Sequence, residues 1–116
     1  MHAKDVLGKS GEQVAAEYLE SCGLRILDRN WRCAVGEIDI VAWHGEKLVF
    51  VEVKTRASGE FGDPDRAVDM EKRDRVMRAA RDYVRRAGVP WDRVRFDTLS
   101  VTLQTQPIIN WTQDAF

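Results

Sequence analysis

The run from Gly36 to Arg56, GEIDIVAWHGEKLVFVEVKTR, constrains this chain more than any other stretch. Ile38, Ile40, Val41 and Ala42 form one β-prone apolar run, and Leu48, Val49, Phe50, Val51 and Val53 form a denser second one. His44-Gly45-Glu46-Lys47 between them is turn-like, with Gly45 able to take a positive φ. The pattern predicts a β-hairpin. Three charged residues, Asp39, Glu52 and Lys54, are set into strands whose other positions read as buried. Side chains alternate between the faces of a strand, so Glu52 and Lys54 share one face while Val51 and Val53 take the other.

Carboxylates held on rigid strands supply the hard oxygen ligands that Mg²⁺ takes, usually together with waters and phosphate. Such an ion lowers the pKa of a bound water and offsets charge developing on a phosphoryl oxygen. A lysine beside the carboxylates adds a preorganised positive charge. Asp39, followed beyond a turn by Glu52-x-Lys54, therefore fits phosphodiester hydrolysis. An arbitrary Glu-x-Lys on a strand is far more often the solvated face of an edge strand, so this motif alone does not choose between the two.

Elsewhere the chain alternates helical and strand patterns. Residues 5–22 read as a helix with Leu7, Val14, Ala15, Tyr18, Leu19 and Cys22 in one arc and Gly23 as its stop. Glu12 lies at the border of that arc, whereas Glu17 and Glu20 lie well away from it. Residues 24–33 read as a strand. Within it Arg29, Trp31 and Arg32 offer phosphate and stacking contacts, although Trp31 is more readily a core residue. Trp43 is expected at the rim. Residues 57–65, rich in glycine and containing Pro64, read as a loop placed to act as a substrate flap or as a plain connector. Residues 67–87 read as a second helix. Val76, Ala79, Ala80, Tyr83, Val84 and Ala87 share one face, and Arg75, Arg78, Arg81 and Arg85 gather opposite. Residues 71–86 hold seven basic and three acidic side chains, in a chain of net charge −1. Arginines so placed neutralise phosphates, and an amphipathic solvated face looks the same. Gly88-Val89-Pro90 stops the helix, and residues 94–103 read as a strand. Residues 104–116 read as either a docked tail or an oligomer contact.

With 116 residues, 44% hydrophobic and 32% charged, the chain suits one globular domain spanning residues 1–116. No apolar run approaches the roughly 20 residues of a membrane helix, and residues 1–5 lack the apolar core of a signal peptide. A cytoplasmic protein is expected. Cys22 and Cys33 have no C-x-x-C spacing and no histidine pair nearby, so free thiols are expected rather than zinc ligands.

Four pieces in order, Gly11-Glu12, Gly36 to Ala42, Val49 to Arg56 and Arg95-Phe96-Asp97, resemble the YraN family of predicted endonucleases. That family is placed within the PD-(D/E)xK restriction-endonuclease-like superfamily and is similar to Holliday junction resolvases. The resemblance runs from about Gly8 to Val101. The superfamily's proline is replaced here by Ile38, before Asp39. The resemblance implies that Asp39 and Glu52 bind Mg²⁺ or Mn²⁺, that Glu12 completes the metal site from the first helix, and that Lys54 acts in catalysis. It also implies a basic residue near the site on the second helix, a position Lys72 fits.

The reading is thus an α/β protein with a restriction-endonuclease-like core, a mixed central β-sheet flanked by α-helices. Its expected function is metal-dependent DNA endonuclease, on branched or other non-B DNA. Catalysis falls to Asp39, Glu52, Lys54 and Glu12, and nucleic-acid contacts to Arg56, Lys72, Arg75, Arg78, Arg81 and Arg85. Nucleic acid is the expected partner, DNA ahead of RNA, with no membrane partner and with a homodimer carried as a second association. The competing reading is a non-catalytic nucleic-acid or protein adaptor that keeps the fold.

Overall fold

The computed structural model describes residues 10–57 and 70–116. The first helix, α1, is Gly11–Ser21. Strands β1 (Arg25–Cys33), β2 (Gly36–His44) and β3 (Lys47–Ala57) follow. Helix α2 (Met70–Ala87), a 3-10 turn (Trp91–Arg93), β4 (Val94–Leu103) and β5 (Ile108–Thr112) complete the order. The sheet runs β1-β2-β3-β4-β5. Only β3 and β4 are parallel, with α2 in the connection between them, so the sheet is mixed as expected.

Ser10 caps α1, its hydroxyl accepting from the Gln13 N–H at 3.1 Å, and Gly23 closes the helix at a φ of 94°. The part of the expected helix before Ser10 lies outside the described residues. A Cβ on Gly11 would sit 1.9 Å from Thr55 Oγ1, so glycine lets the start of α1 lie against β3. Cys22, expected on the apolar arc, is exposed because it caps the last turn rather than lying within it. Ala16 joins Ala15 and Leu19 in the buried face.

The hairpin forms as predicted: β2 ends at His44, β3 begins at Lys47, and Gly45 takes a φ of 61°. Trp43, expected at the rim, is half-buried beside the turn and packs against the edge of the apolar layer beneath α2. Trp31 joins the same layer, edge-on to Tyr83. The core has two layers. Ala15, Ala16 and Leu19 of α1 cover Ile40, Ala42, Val49, Val51, Leu99 and Val101. Val76, Ala79, Ala80 and Val84 of α2 cover Ile38, Val41, Leu48, Phe50 and Phe96. Burial on both faces is why β3 reads as a nearly unbroken apolar run.

Ile40 faces α1 but Ile38, two residues earlier, faces α2. The alternation breaks at Asp39. There β2 also leaves β3: their pairing runs from His44↔Lys47 to Ile40↔Val51 and stops. Pairing of β2 with β1 continues to Cys33↔Gly36. Asn30 falls opposite Asp39, between the pairs Arg29↔Ile40 and Trp31↔Ile38, and holds a left-handed φ of 52°. The sheet therefore forks at Asp39, and a two-stranded ribbon of β1 and β2 rolls toward α2. Gly36 lies close under α2, where an added Cβ would come 2.8 Å from the Arg75 carbonyl oxygen.

Val76, Ala79, Ala80 and Val84 form the buried face of α2, while Ala87, expected with them, is exposed in the final turn. Residues 67–69 of that expected helix, and residues 58–65 of the expected flap, lie outside the described residues. Gly88 at a φ of 71° ends α2. The C-terminal segment resolves as a docked one. β5 pairs antiparallel with β4, and the Ala115 N–H donates to the Phe96 carbonyl at 2.7 Å. Asp97, fully buried, ties this segment down. Arg95 donates through Nε and Nη2 to its two oxygens, and Trp111 Nε1 and the Asp114 N–H add two more bonds, all at 2.9 Å. Among the described residues no helix is long and apolar enough to cross a membrane.

Candidate active site

At the fork, Asp39 Oδ2 accepts the Val53 N–H at 2.8 Å. A side chain thus takes a β3 donor just beyond the last β2–β3 backbone pair. Glu52, the residue before Val53, faces α2 and is only 4% exposed. Lys72, from the first turn of α2, places Nζ 2.7 Å from Glu52 Oε1. Apart from that ammonium, neither Glu52 oxygen has a hydrogen-bond donor among the described residues. Asp39, Glu52 and Lys72 line one cleft of about 50 Å³, together with Glu37, Ile38, Val51 and Val76. That volume holds a few waters.

Burial pushes the Asp39 carboxyl up to about 6. Its bond from Val53 and the Lys72 charge act against this, while the charges of Glu12 and Glu52 add to it. The Lys72 ammonium is pushed upward, first by its bond to Glu52. The cleft thus holds one carboxylate paired to a lysine and a second carboxyl that takes a proton more readily than an ordinary aspartate.

Asp39 and Glu52 share the cleft. Lys54 lies on the face of Glu52, since the unbroken β3–β4 ladder pairs Glu52 with Thr98 and Lys54 with Ser100. It is half-buried, as is Arg56 two residues further on. Glu12, half-buried in the first turn of α1, acts on Asp39 through its charge. Among the described residues no three of His, Cys, Asp or Glu gather closely enough to hold a metal ion, so Glu12 is not assembled with the pair into a three-carboxylate set. Lys72 pairs with Glu52 inside the cleft. Arg75, Arg78, Arg81 and Arg85 are exposed along α2. Arg81 lies 4.4 Å from the centre of the Trp91 ring, and Arg85 pairs with Asp82.

One feature escaped sequence reasoning, the pairing of Lys72 with Glu52, although the sequence already puts Lys72 near the site; its signal is that Lys72 precedes the buried Val76 by four residues and so faces the sheet. Glu37, expected to support the site rather than to act in it, lines the cleft. A divalent cation fits the donor set. Mg²⁺ is commonly bound by one or two carboxylates with the rest of its shell water or phosphate, and Glu52 is buried with a deficit of donors.

Sheet, helices and cleft define an α/β protein with a five-stranded mixed sheet flanked by two helices, compatible with a restriction-endonuclease-like core. The chain belongs to the uncharacterised protein family UPF0102, the YraN-like group, whose family model matches residues 11–101. It is 56% identical over 111 residues to the UPF0102 protein of Solibacter usitatus, covering 94% of this chain and 84% of that one. The UPF0102 protein of Paenarthrobacter aurescens is 52% identical over 101 residues, covering 87% and 84%. That of Rhodococcus opacus is 44% identical over 112 residues, covering 95% of each.

Proposed function

We propose that this chain is a metal-dependent endonuclease that hydrolyses phosphodiester bonds in nucleic acid, DNA ahead of RNA, acting on branched or other non-B forms. One observation carries the reading: Asp39 and Glu52 line a single narrow cleft where two strands part, and Glu52 is buried there with too few donors. Asp39 and Glu52 would hold Mg²⁺ or Mn²⁺, with Glu12 contributing charge from α1. The ion, when bound, supplies an acidified water and positive charge for the phosphoryl group. Asp39 is fixed by its bond from Val53, so its remaining oxygen keeps a set direction. Burial of Glu52 keeps bulk water from competing for its oxygens. Lys54 stands on the Glu52 face as a cation for the transition state.

Metal binding by calorimetry, run beside single-turnover cleavage of branched, single-stranded and duplex DNA, tests this. Asp39→Asn and Glu52→Gln should lose metal and rate together. Lys54→Ala should keep most metal affinity and lose on the order of 10²–10³ in rate. A parent protein that binds Mn²⁺ yet cleaves nothing would sink the catalytic reading. It would favour the non-catalytic adaptor, for which one observation speaks: the Lys72 ammonium pairs with Glu52 at 2.7 Å and offsets its charge.

A further inference from the structure

The fork that builds the cleft also builds a trough beside it. The ribbon of β1 and β2 forms one wall with its turn at Ala34 and Val35, and α2 forms the other. Two cavities of about 450 Å³ each lie in series between these walls, sharing Ala34 and Val35. The nearer one also shares Glu37 with the Asp39–Glu52 cleft, so the three spaces are neighbours. Six arginines line the pair (Arg32, Arg75, Arg78, Arg81, Arg85 and Arg86) against two carboxylates, Glu37 and Asp82. This excess stands in a chain whose net charge is −1.

Several of these arginines are held by partners. Arg32 pairs with Glu37 at 3.1 Å, Arg86 with Asp82 at 3.2 Å, and Arg81 rests on Trp91. Val35, 45% exposed, adds an apolar tip to the ribbon wall. Lys72, Arg75, Arg78 and Arg85 follow one another at spacings of three, three and seven, so they form a stripe that starts in the cleft and winds round the helix to its solvent side. From Lys72 to Arg85 it runs about 20 Å at 1.5 Å per residue.

We infer that this trough holds a single unpaired nucleic-acid strand and leads it to the Asp39–Glu52 cleft, a delivery role that rests on the proposed nuclease reading. Each cavity falls within the size range of small-molecule sites. An unpaired strand can set its bases between the walls and its phosphates on the arginine stripe. A duplex keeps its bases paired inward and offers only phosphates at the rim. At about 3.4 Å per stacked nucleotide, 20 Å of stripe spans at most about six phosphates. The preferred substrates are then those with an unpaired arm of that length: flaps, frayed ends and open branches.

The test is fluorescence anisotropy with a labelled twelve-residue oligothymidine and a hairpin duplex of equal length. EDTA in every sample keeps cleavage out of the measurement. The single strand should bind at least tenfold more tightly than the duplex. Arg78→Glu with Arg85→Glu, both on the solvent side of α2, should weaken it at least tenfold. The slope of log affinity against log salt should flatten by about 1.4, at about 0.7 per lost single-strand contact. Circular dichroism of the double variant establishes that it is folded. Equal or tighter duplex binding, an unmoved affinity in the folded variant, or no binding of either form overturns the trough. Cleavage assays fail or succeed separately: an active protein with an indifferent trough loses only this inference, and a strand-binding protein inert with Mn²⁺ loses the nuclease and the delivery role but keeps the strand-holding trough.

Discussion

Asp39 is where burial and ionisation conflict. A free aspartate titrates near 3.8, and the folded protein holds the Asp39 proton up to about 6. Between those values the folded state binds more proton than the unfolded one, so this group's contribution to stability falls as pH rises from about 4 through 6. At about 1.36 kcal/mol per unit the loss by neutrality is at most roughly 3 kcal/mol. Asparagine keeps an oxygen for the Val53 N–H and carries no charge. Metal-free Asp39→Asn should therefore be about 1–3 kcal/mol more stable than the parent at pH 7, with the gap closing by pH 4. Urea unfolding in EDTA at both values measures this, and a constant gap would refute the assigned cause. Lys72 sets a second contrast. Its ammonium stands 2.7 Å from the oxygen a metal would share. Lys72→Met should lower metal-free stability, because Glu52 is left buried without its partner. The same change should tighten Mn²⁺ binding on the order of tenfold, about 1.4 kcal/mol. Calorimetry showing weaker Mn²⁺ binding would mean the lysine supports the site rather than competing for it.

At the scale of elements, periodicity exposed most of the fold. The hairpin, α2 and β4 follow from runs of alternating or helically spaced apolar residues, and Gly23, Gly45 and Gly88 all take the positive φ their turn positions require. β5 escaped because residues 108–112 carry too little pattern; pairing with β4 makes them a strand. Asp97 explains that pairing. Its three donors, Arg95, Trp111 and the Asp114 N–H, come from three segments and cannot be read from local sequence. Asp97→Ala would leave Arg95, only 15% exposed, without its counter-charge. A loss of about 3–5 kcal/mol is expected, with Trp111 fluorescence shifting to the red as β5 loosens. The contact of α1 with β3 is equally specific. Gly11→Ala should cost about 1–3 kcal/mol through overlap with Thr55. Thr55→Ala in the same chain should recover part of it, since it removes the two closest atoms, and additive losses in a double-mutant cycle would disprove the contact.

In the molecule as a whole, β3 is the central strand, sheathed by both helices, and β1 and β5 are the edges. Amide exchange should be slowest at Val49, Phe50 and Val51, which open only with the whole protein, and much faster along β5. Equal rates in the two strands would show β5 to be part of the same cooperative unit. The candidate carboxylates were legible because charge inside an apolar strand is conspicuous at any distance. Their setting was not, because it depends on Ile38 and Ile40 facing opposite helices, a reversal that a strict period of two forbids. That reversal divides the hairpin into two regimes of tolerance. On the turn side of Asp39, five consecutive β2–β3 pairs lock each residue to a partner, and one inserted residue would turn an apolar row outward. On the far side only β1 accompanies β2, so the ribbon can lengthen or shorten as a unit while the locked pairs keep their alignment. Relatives with longer or shorter ribbons would then carry deeper or shallower troughs around the same carboxylate pair, and reach along the strand could diversify while the chemistry stayed put.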